Sequence, residues 1–184
     1  MNILGRRVVL RALEEEDAPL LHAWANEPEI WQRLGGWHFP TSLAATRTWI
    51  AAQSASPADR RFAITLGGEL LGTANLVEID WKNRHAHHGM MIGPVARRGQ
   101  GIGTDTIMAI MRHAFDELGF ERLDSSIIEH NEPSRRAYCD RCGWVLEGRQ
   151  RRWFHRQGRF WDRLIIGVTR DDYHALLERT RYWD

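Results

Sequence analysis

The order of hydrophobic and polar residues along the chain predicts strands and helices in alternation. Residues 8–13 begin as a strand, and the acidic residues 14–17 precede a helix whose apolar positions recur at helical spacing. Gly35-Gly36 indicates a loop, after which Thr41 or Ser42 is suited to cap a second helix. The chain therefore opens with a strand followed by two helices.

The middle of the chain predicts an antiparallel meander. Three strand candidates cover residues 61–66, 70–79 and 85–92, and Gly67-Gly68 forms a tight turn between the first two. Strand alternation places His85, His87, Gly89 and Met91 on one face of the third strand, and Ala86, His88, Met90 and Ile92 on the other. Only one of the adjacent pair His87 and His88 can therefore face a given pocket.

The last third of the chain predicts three helices and three further strands. Their predicted order is a helix ending at Gly119, a strand over 123–128, a short helix from Asn131 to Asp140, strands over 145–154 and 160–168, and a terminal helix from Asp171. We found no internal repeat or linker. A mixed sheet with helices on its faces, in a single domain over residues 1–184, is the expected α/β (α+β) architecture.

Length and charge narrow the class of protein. A chain of 184 residues is long enough for one sizeable core. With 25 Lys and Arg against 24 Asp and Glu, spread along the sequence, nucleic acid is not the expected partner. No stretch approaches the ~18 continuous apolar residues of a membrane span. We expect a cytoplasmic protein that binds neither nucleic acid nor membrane.

Two groups of residues suggest metal or redox chemistry. Cys139 and Cys142 form a C-x-x-C, but a structural zinc site needs four ligands and no second pair follows at suitable spacing. His85, His87 and His88 lack a nearby carboxylate or cysteine partner at suitable spacing. The sequence favours two reduced thiols and no metal.

A glycine-rich segment, Arg97-Arg98-Gly99-Gln100-Gly101-Ile102-Gly103, stands between a strand and a helix. Backbone N–H groups in such a turn, together with the helix N-terminus, form an anion site. A dinucleotide fingerprint fails on spacing, because its third glycine position is occupied by Thr104 or Thr106. A Walker loop fails because the segment has no lysine.

Two motifs together resemble one known family, the GNAT acyltransferases. The first, Arg98-x-x-Gly101-x-Gly103, is similar to the family's R/Q-x-x-G-x-G/A signature. The second, residues 131–144, resembles N-x-x-S-x-x-x-Y-x-x-x-G-F, with Trp144 in place of phenylalanine. Residues 69–72 resemble the family's hairpin strand. Residues 158–162 resemble the closing hairpin of a subgroup with ribosomal-protein N-terminal, spermidine and some aminoglycoside acetyltransferases. The resemblance covers nearly the whole chain and implies a mixed, mostly antiparallel sheet of six to seven strands.

By resemblance, the donor substrate is acetyl-CoA, and its pyrophosphate lies on the glycine-rich segment. The pantetheine arm would pair with a strand end and contact the helix cap at Asn131. The residues implied in donor binding are Met91, Ile92, Arg97, Arg98, Gly99, Gln100, Gly101, Ile102, Gly103, Thr104 and Asn131.

Attack of an amine on a thioester needs a proton acceptor for the amine and a proton donor for the departing thiolate. By resemblance Tyr138 is the donor, and a phenol with an ordinary pKa of about 10 stays protonated at neutral pH. Many family members carry a glutamate on the strand before the loop, and alignment puts His87 at that position. Neutral imidazole can accept a proton. Glu78 and a water chain are the alternative bases.

The acceptor pocket is expected along the loop between the first two helices and along the last hairpin, near Trp31, Trp37, His38, Trp153 and Phe154. The sequence predicts an N-acetyltransferase acting on a peptide or protein N-terminus or on a small amine metabolite. An aminoglycoside-type acceptor is an alternative. A non-catalytic acyl-CoA-binding module is a hypothesis of another class, since His87 replaces the glutamate. A homodimer is common in the resembling subgroup.

Overall fold

The computed structural model describes residues 1–36 and 39–184, and a single eight-stranded sheet runs through it. The strand order is β1-β2-β3-β4-β5-β6-β8-β7. Neighbouring strands are antiparallel except β5 and β6, which are parallel. The strands are β1 (Ile3–Leu4), β2 (Val9–Ala12), β3 (Arg60–Leu66), β4 (Glu69–Asp80), β5 (His85–Ile92), β6 (Arg122–Ile128), β7 (Val145–Arg156) and β8 (Arg159–Thr169).

Helices connect these strands, and several start where the sequence offers a cap. Ser42 accepts a hydrogen bond from the amide of Ala45, and Asn131 from the amide of Ser134. The α-helices are α1 (Ala18–Ala25), α2 (Pro28–Trp31), α3 (Leu43–Ala51), α4 (Ile102–Arg112), α5 (Glu132–Arg135) and α6 (Arg170–Thr180). Two π-helical turns, His113–Glu117 and Arg136–Arg141, continue α4 and α5.

The predicted fold class is confirmed, with one strand more than expected. The sheet has eight strands because β1, a two-residue strand, pairs with β2. Two residues are too few to give a recognisable alternation of apolar and polar positions. The four-residue helix α2 and the two π turns were also not predicted, since each is shorter than two turns of an α-helix.

Helices cover both faces of the sheet, and strand alternation divides the core between them. What we call the α4 face packs against α4, α6 and the two π turns, and it includes Ile64, Leu76, Leu123 and Leu164. The opposite side, the α1 face, packs against α1, α2 and α3. It includes Ala63, Leu70 and Met91 from the strands, with Leu21, Ile30 and Ile50 from the helices.

The parallel strands β5 and β6 pair over only part of their length. Their pairing joins His85–His87 to Arg122–Asp124 and ends there, although β5 continues to Ile92 and β6 to Ile128. Beyond His87 and Asp124 the two strands are no longer hydrogen-bonded to each other. The sheet is therefore open between their carboxyl ends.

The first turn of α4 is held by the two ends of the described chain. Asp105 is 4% exposed, and its carboxylate accepts hydrogen bonds from the amides of Arg6, Arg7 and Val8 at 2.8 to 2.9 Å. It also accepts one from the Tyr182 hydroxyl at 2.9 Å. This buried carboxylate fixes the start of α4. Among the described helices, none is long and apolar enough to span a bilayer.

Candidate functional site

A cavity of about 530 Å³ lies between the carboxyl end of β5 and the segment that follows β6, where the sheet is open. Three neighbouring parts of the chain border it: the end of β5, the turn that leads into α4, and α5 with its π turn. The segment around α2 closes the remaining side. Its lining residues are Glu29, Ile30, Arg33, Leu34, Met90, Met91, Ile92, Arg97, Arg98, Gly99, Gly101, Ile102, Gly103, Thr104, Asn131, Pro133, Ser134, Arg136, Ala137 and Arg141.

The turn into α4 presents main-chain donors to this cavity. Gly99 and Gly101 have φ of +78° and +82°, a left-handed conformation that suits glycine. The first hydrogen bond of α4 runs from the amide of Asp105 to the carbonyl of Gly101, at 2.9 Å. The amides of residues 102–104 therefore have no acceptor within the helix. They form a cradle for an anion at a helix N-terminus.

The charged side chains around the cavity are mostly cationic. Five arginines line it, against the single carboxylate of Glu29. Arg98 lies 3.7 Å from Glu29, and its pKa is lowered by burial and by the charge of Arg33. Arg97 is paired with Glu69. Residues of this kind, with the main-chain cradle, fit a ligand that carries several phosphate charges. The five are Arg33, Arg97, Arg98, Arg136 and Arg141.

The structure brings the sequence-predicted donor-binding residues together, with Gln100 as the exception. Ten of these eleven residues line the cavity. The Gln100 side chain donates to the carbonyl of Ala96 at 2.9 Å, and its own carbonyl accepts from Arg7 at 3.0 Å. Gln100 therefore holds the turn in shape from outside the cavity.

His87 lies on the α1 face, at the last pair of the parallel ladder. Its Nδ1 is 2.7 Å from Oδ1 of Asp124, the residue opposite it on β6. No partner for its Nε2 is found among the described residues, and the side chain is 23% exposed. Strand geometry puts His87 about 13 Å along β5 from Met91. This arrangement leaves one imidazole nitrogen available at the point where the sheet opens.

His88 points the other way and is fully buried on the α4 face. Its Nδ1 lies 2.7 Å from the carbonyl oxygen of Asn75, and its Nε2 is buried without a partner among the described residues. Burial lowers its pKa to about 4. The ring stacks near Tyr138 and Trp144, at centroid distances of 5.7 and 6.1 Å. The predicted division of the two histidines between faces is confirmed.

Tyr138 is buried beside His88, at 2% exposure. Burial raises the pKa of its hydroxyl, with a smaller contribution from Cys142, while a hydrogen bond with Ser125 acts in the opposite direction. Tyr138 is not among the residues that line the cavity, although its neighbour Ala137 is. The phenol is therefore held protonated, next to the cavity wall.

The motif that contains Tyr138 is one residue longer than the pattern it resembles. The pattern has three residues between its tyrosine and glycine, whereas four stand between Tyr138 and Gly143. The pattern therefore matches this chain from Asn131 to Tyr138 but not from Tyr138 to Gly143. The π turn Arg136–Arg141 accommodates the extra residue, because its hydrogen bonds span five residues instead of four. Counted from Asn131 the tyrosine position is Tyr138, but counted back from Gly143 it is Cys139.

Both cysteines are free thiols, Cys139 within this π turn and Cys142 directly after it. Burial raises the pKa of Cys139, and it raises the pKa of Cys142 to about 12. The Cys142 thiol contacts the carbonyl of Thr104 at 3.8 Å. Among the described residues, no group of three or more His, Cys, Asp and Glu side chains could hold a metal ion.

The remaining predicted residues lie away from the cavity lining. Glu78 is exposed in a bulge of β4. Trp31 follows the lining residue Ile30, and Trp153 is 54% exposed with Arg163 stacked on it at 5.1 Å. Phe154 is buried against Gly35. Trp37 and His38 lie outside the described residues.

Sequence reasoning missed Asp124, the partner of His87. Its signal in the sequence is weak: Arg122, Asp124 and Ser126 are polar residues at every second position of β6, but Ser125 between them is polar as well. That alternation shows that one face of β6 is polar, but it does not show which residue of β5 lies opposite.

The chain is similar in sequence and in fold to known proteins. The model of the family described as "Acetyltransferase (GNAT) domain" matches residues 7–145. The SPbeta prophage-derived uncharacterized N-acetyltransferase YokL of Bacillus subtilis is 25% identical over 170 residues, covering 92% of this chain and 93% of the relative. The spermidine N(1)-acetyltransferase of Escherichia coli is 25% identical over 171 residues, covering 91% and 89%. In fold, the chain is similar to RimL, a ribosomal L7/L12 alpha-N-protein acetyltransferase solved with coenzyme A, with a TM-score of 0.80, 22% identity and coverage of 92% and 98%.

Proposed function

The chain belongs to the GNAT acetyltransferase family and is therefore an N-acetyltransferase, and we propose that it moves the acetyl group of acetyl-CoA to a primary amine by direct attack. The acceptor is a peptide or protein N-terminus or a small amine. The observation that carries this proposal is the arginine-lined cavity with the α4 cradle at the opening of the sheet. The names of two relatives, which act on a ribosomal protein and on spermidine, support both kinds of acceptor.

When bound, acetyl-CoA supplies the thioester and its thiolate leaving group. The amides of residues 102–104 hold the pyrophosphate, and Arg98 with Arg136 neutralises its charge. The end of β5, at Met91 and Ile92, lies along the pantetheine. The residues that line the cavity thereby set the position of the donor substrate relative to His87.

His87 is the general base in this proposal. Asp124 holds Nδ1, so that Nε2 faces the acceptor side and takes the proton from the amine. This bond also fixes the tautomer, because an Nδ1–H that donates to a carboxylate leaves Nε2 as the acceptor. Glu78, exposed in its bulge, has no such partner among the described residues.

Tyr138 is the proton donor to the departing thiolate, since burial keeps its hydroxyl protonated at neutral pH. A thiol relay through either cysteine is disfavoured, because burial raises the pKa of both and little thiolate forms at neutral pH. Direct transfer from donor to amine needs neither cysteine.

Thiol release from acetyl-CoA, measured with a panel of free amines, aminoglycosides and peptides, tests the function. We expect release that depends on the amine and forms an N-acetyl product by mass spectrometry. Binding of acetyl-CoA without transfer to any amine would contradict the proposal.

A second comparison tests the proton donor. Tyr138→Phe should lower kcat about tenfold to a hundredfold with little change in KM, whereas Cys139→Ala should leave kcat within about twofold. If Cys139→Ala lowered kcat more than Tyr138→Phe, the proton donor would be Cys139, the residue at the tyrosine position of the motif when it is counted back from Gly143.

A further inference from the structure

Arginines from two distant parts of the chain meet at the edge of the cavity. The hairpin between β7 and β8 packs against the segment that follows α2. Arg156 donates to the carbonyl of Leu34 at 3.0 Å, and the side chain of Gln157 donates to Gln32 at 2.9 Å. Arg156 therefore lies beside Arg33, which lines the cavity.

The guanidinium of Arg156 is buried, and no carboxylate of the described residues forms an ion pair with it. The residue is 7% exposed, and its two recorded partners are the carbonyls of His155 and Leu34. Its Nε has no partner among the described residues. A buried charge is costly unless an opposite charge compensates for it. Nearby Arg149, by contrast, is paired with Glu129 and Asp162.

Arg33 and Arg159 lie around the same point, and with Arg156 we call them the arginine cluster. His130 lies at its centre, with its ring 4.4 Å from that of Trp161, on which Arg159 stacks at 3.5 Å. Burial and the charges of all three arginines lower the pKa of His130. None of the three forms an ion pair with a carboxylate in the described part of the chain. His130 Nδ1 and Trp161 Nε1 are buried and unpartnered there as well.

The cluster meets the cavity at Arg33, because Arg156 and Arg159 are not among the residues that line it. Leu164 and Ile166 of β8 pack in the core of the α4 face, so alternation puts Trp161 on the α1 face with His87. The cradle at the start of α4 lies elsewhere on the cavity wall. Asn131 joins the two regions, since its side chain donates to the carbonyl of Arg33 at 3.2 Å.

We infer that the arginine cluster is an acceptor subsite for carboxylate, and that the preferred amine is carried on an acidic molecule, such as a peptide N-terminus followed by Asp or Glu. This inference rests on the proposed function. Three guanidinium groups without counter-ions attract a carboxylate and repel a polycation. A polyamine acceptor such as spermidine is accordingly disfavoured, although the relative from Escherichia coli carries that name.

The test uses two peptides that differ only in residues two to four, acidic in one and amide in the other. Free glutamate and spermidine are further acceptors, and glutamate distinguishes a small acidic amine from an acidic peptide. We expect kcat/KM about tenfold higher for the acidic peptide, mainly through KM, and a loss of this preference at high salt. Arg33→Gln and Arg159→Gln should reduce the preference towards unity, and Arg159→Glu should shift it towards a lysine-containing peptide.

Arg179→Gln, on the exposed end of α6, is the matched control and should keep the wild-type preference. Equal use of both peptides, a preference for spermidine, or variants that raise KM for acetyl-CoA alone would each overturn the inference. Calorimetry of peptide binding separates the two proposals. Selective binding of the acidic peptide, weakened by Arg159→Gln, supports the inference even if no acetyl transfer is found. Acetyl transfer to both peptides with equal kcat/KM would support the proposed function and contradict the inference.

Discussion

The two sides of the site differ in how their residues are assembled. The proposed donor side is centred on one short segment, Gly99 to Thr104, whose main chain forms the cradle at α4, with arginines and the end of β5 around it. The proposed acceptor side consists of side chains from separate strands and loops, including the pair of His87 and Asp124 and the arginine cluster. A main-chain cradle depends on backbone conformation, whereas the acceptor side depends on which side chains meet. Substitutions should therefore affect the two sides through different measured quantities.

The largest effect is expected on the acceptor side, at the base. His87→Ala should lower kcat by about 10²–10³-fold, because the amine loses its proton acceptor. The Kd for acetyl-CoA should change little. Steady-state kinetics with calorimetry measures both.

His85→Ala is the control, since His85 lies on the same face two residues earlier and is more exposed. A weaker effect of His87→Ala than of His85→Ala would remove His87 from the mechanism.

His88, on the α4 face, should affect the pH dependence of the free energy of unfolding and not kcat. Since the folded-state pKa of His88 is about 4 and the unfolded value is about 6.5, the unfolded chain binds the proton first. Its contribution to stability is present above pH 6.5 and is lost as pH falls towards 4, by about 3 kcal/mol in total. Denaturant unfolding across this range measures the loss.

The pKa values of His113 and His130 are also lowered, so these residues add to the same loss of stability. The contribution of His88 is therefore isolated by comparing the wild-type protein with His88→Gln. That variant should show a smaller dependence on pH between 6.5 and 4. Parallel curves for the two proteins would contradict the assignment.

Asp124→Asn tests whether the acceptor side depends on a side-chain pair. The amide can donate to Nδ1 and so favour the tautomer with the proton on Nε2, which cannot accept a proton. We expect kcat to fall about tenfold to a hundredfold, a smaller loss than for His87→Ala. If Asp124→Asn and His87→Ala are combined, the losses should not add, since the two residues act together.

The smallest of these effects is expected on the donor side. Gly101→Ala places a side chain at φ +82°, at a cost of about 1–2 kcal/mol, and should raise the Kd for coenzyme A about tenfold by disturbing the cradle. Gly68→Ala, at φ +85° in the hairpin of β3 and β4, has the same backbone penalty away from the cavity. Both variants should be destabilised, but Gly68→Ala should bind coenzyme A normally. Equal binding by the two would mean that the cradle is not part of the donor site.

The difference between a contiguous main-chain cradle and side chains from separate strands also explains what could be predicted from the sequence. The bounds of β5 and the cap at Asn131 follow from local patterns, and the structure confirms them. Donor-loop residues are contiguous, so one motif names most of the donor-binding residues predicted from the sequence, and six of its seven residues line the cavity.

The acceptor side could not be predicted in this way. Asp124 is 37 positions from His87, and Arg156 is 122 positions from Leu34. Such pairs arise from parallel pairing and from the packing of a hairpin, which no pattern along the chain encodes. The position of Trp153 on the last hairpin predicts a place near the acceptor, but its side chain lies exposed on β7.

The π turn at Arg136–Arg141 also has a consequence for the history of the chain. A single inserted codon would shift every later residue of an α-helix by about 100° around its axis. Here the extra residue is absorbed within one turn, so Asn131 still caps α5 and Gly143 still ends the segment. Removing Arg136 or Ala137 from the turn would bring Cys139 to the seventh position after Asn131, which Tyr138 now occupies. Insertion and deletion of one codon could therefore change a reactive group in this lineage while both anchors of the motif remain in place.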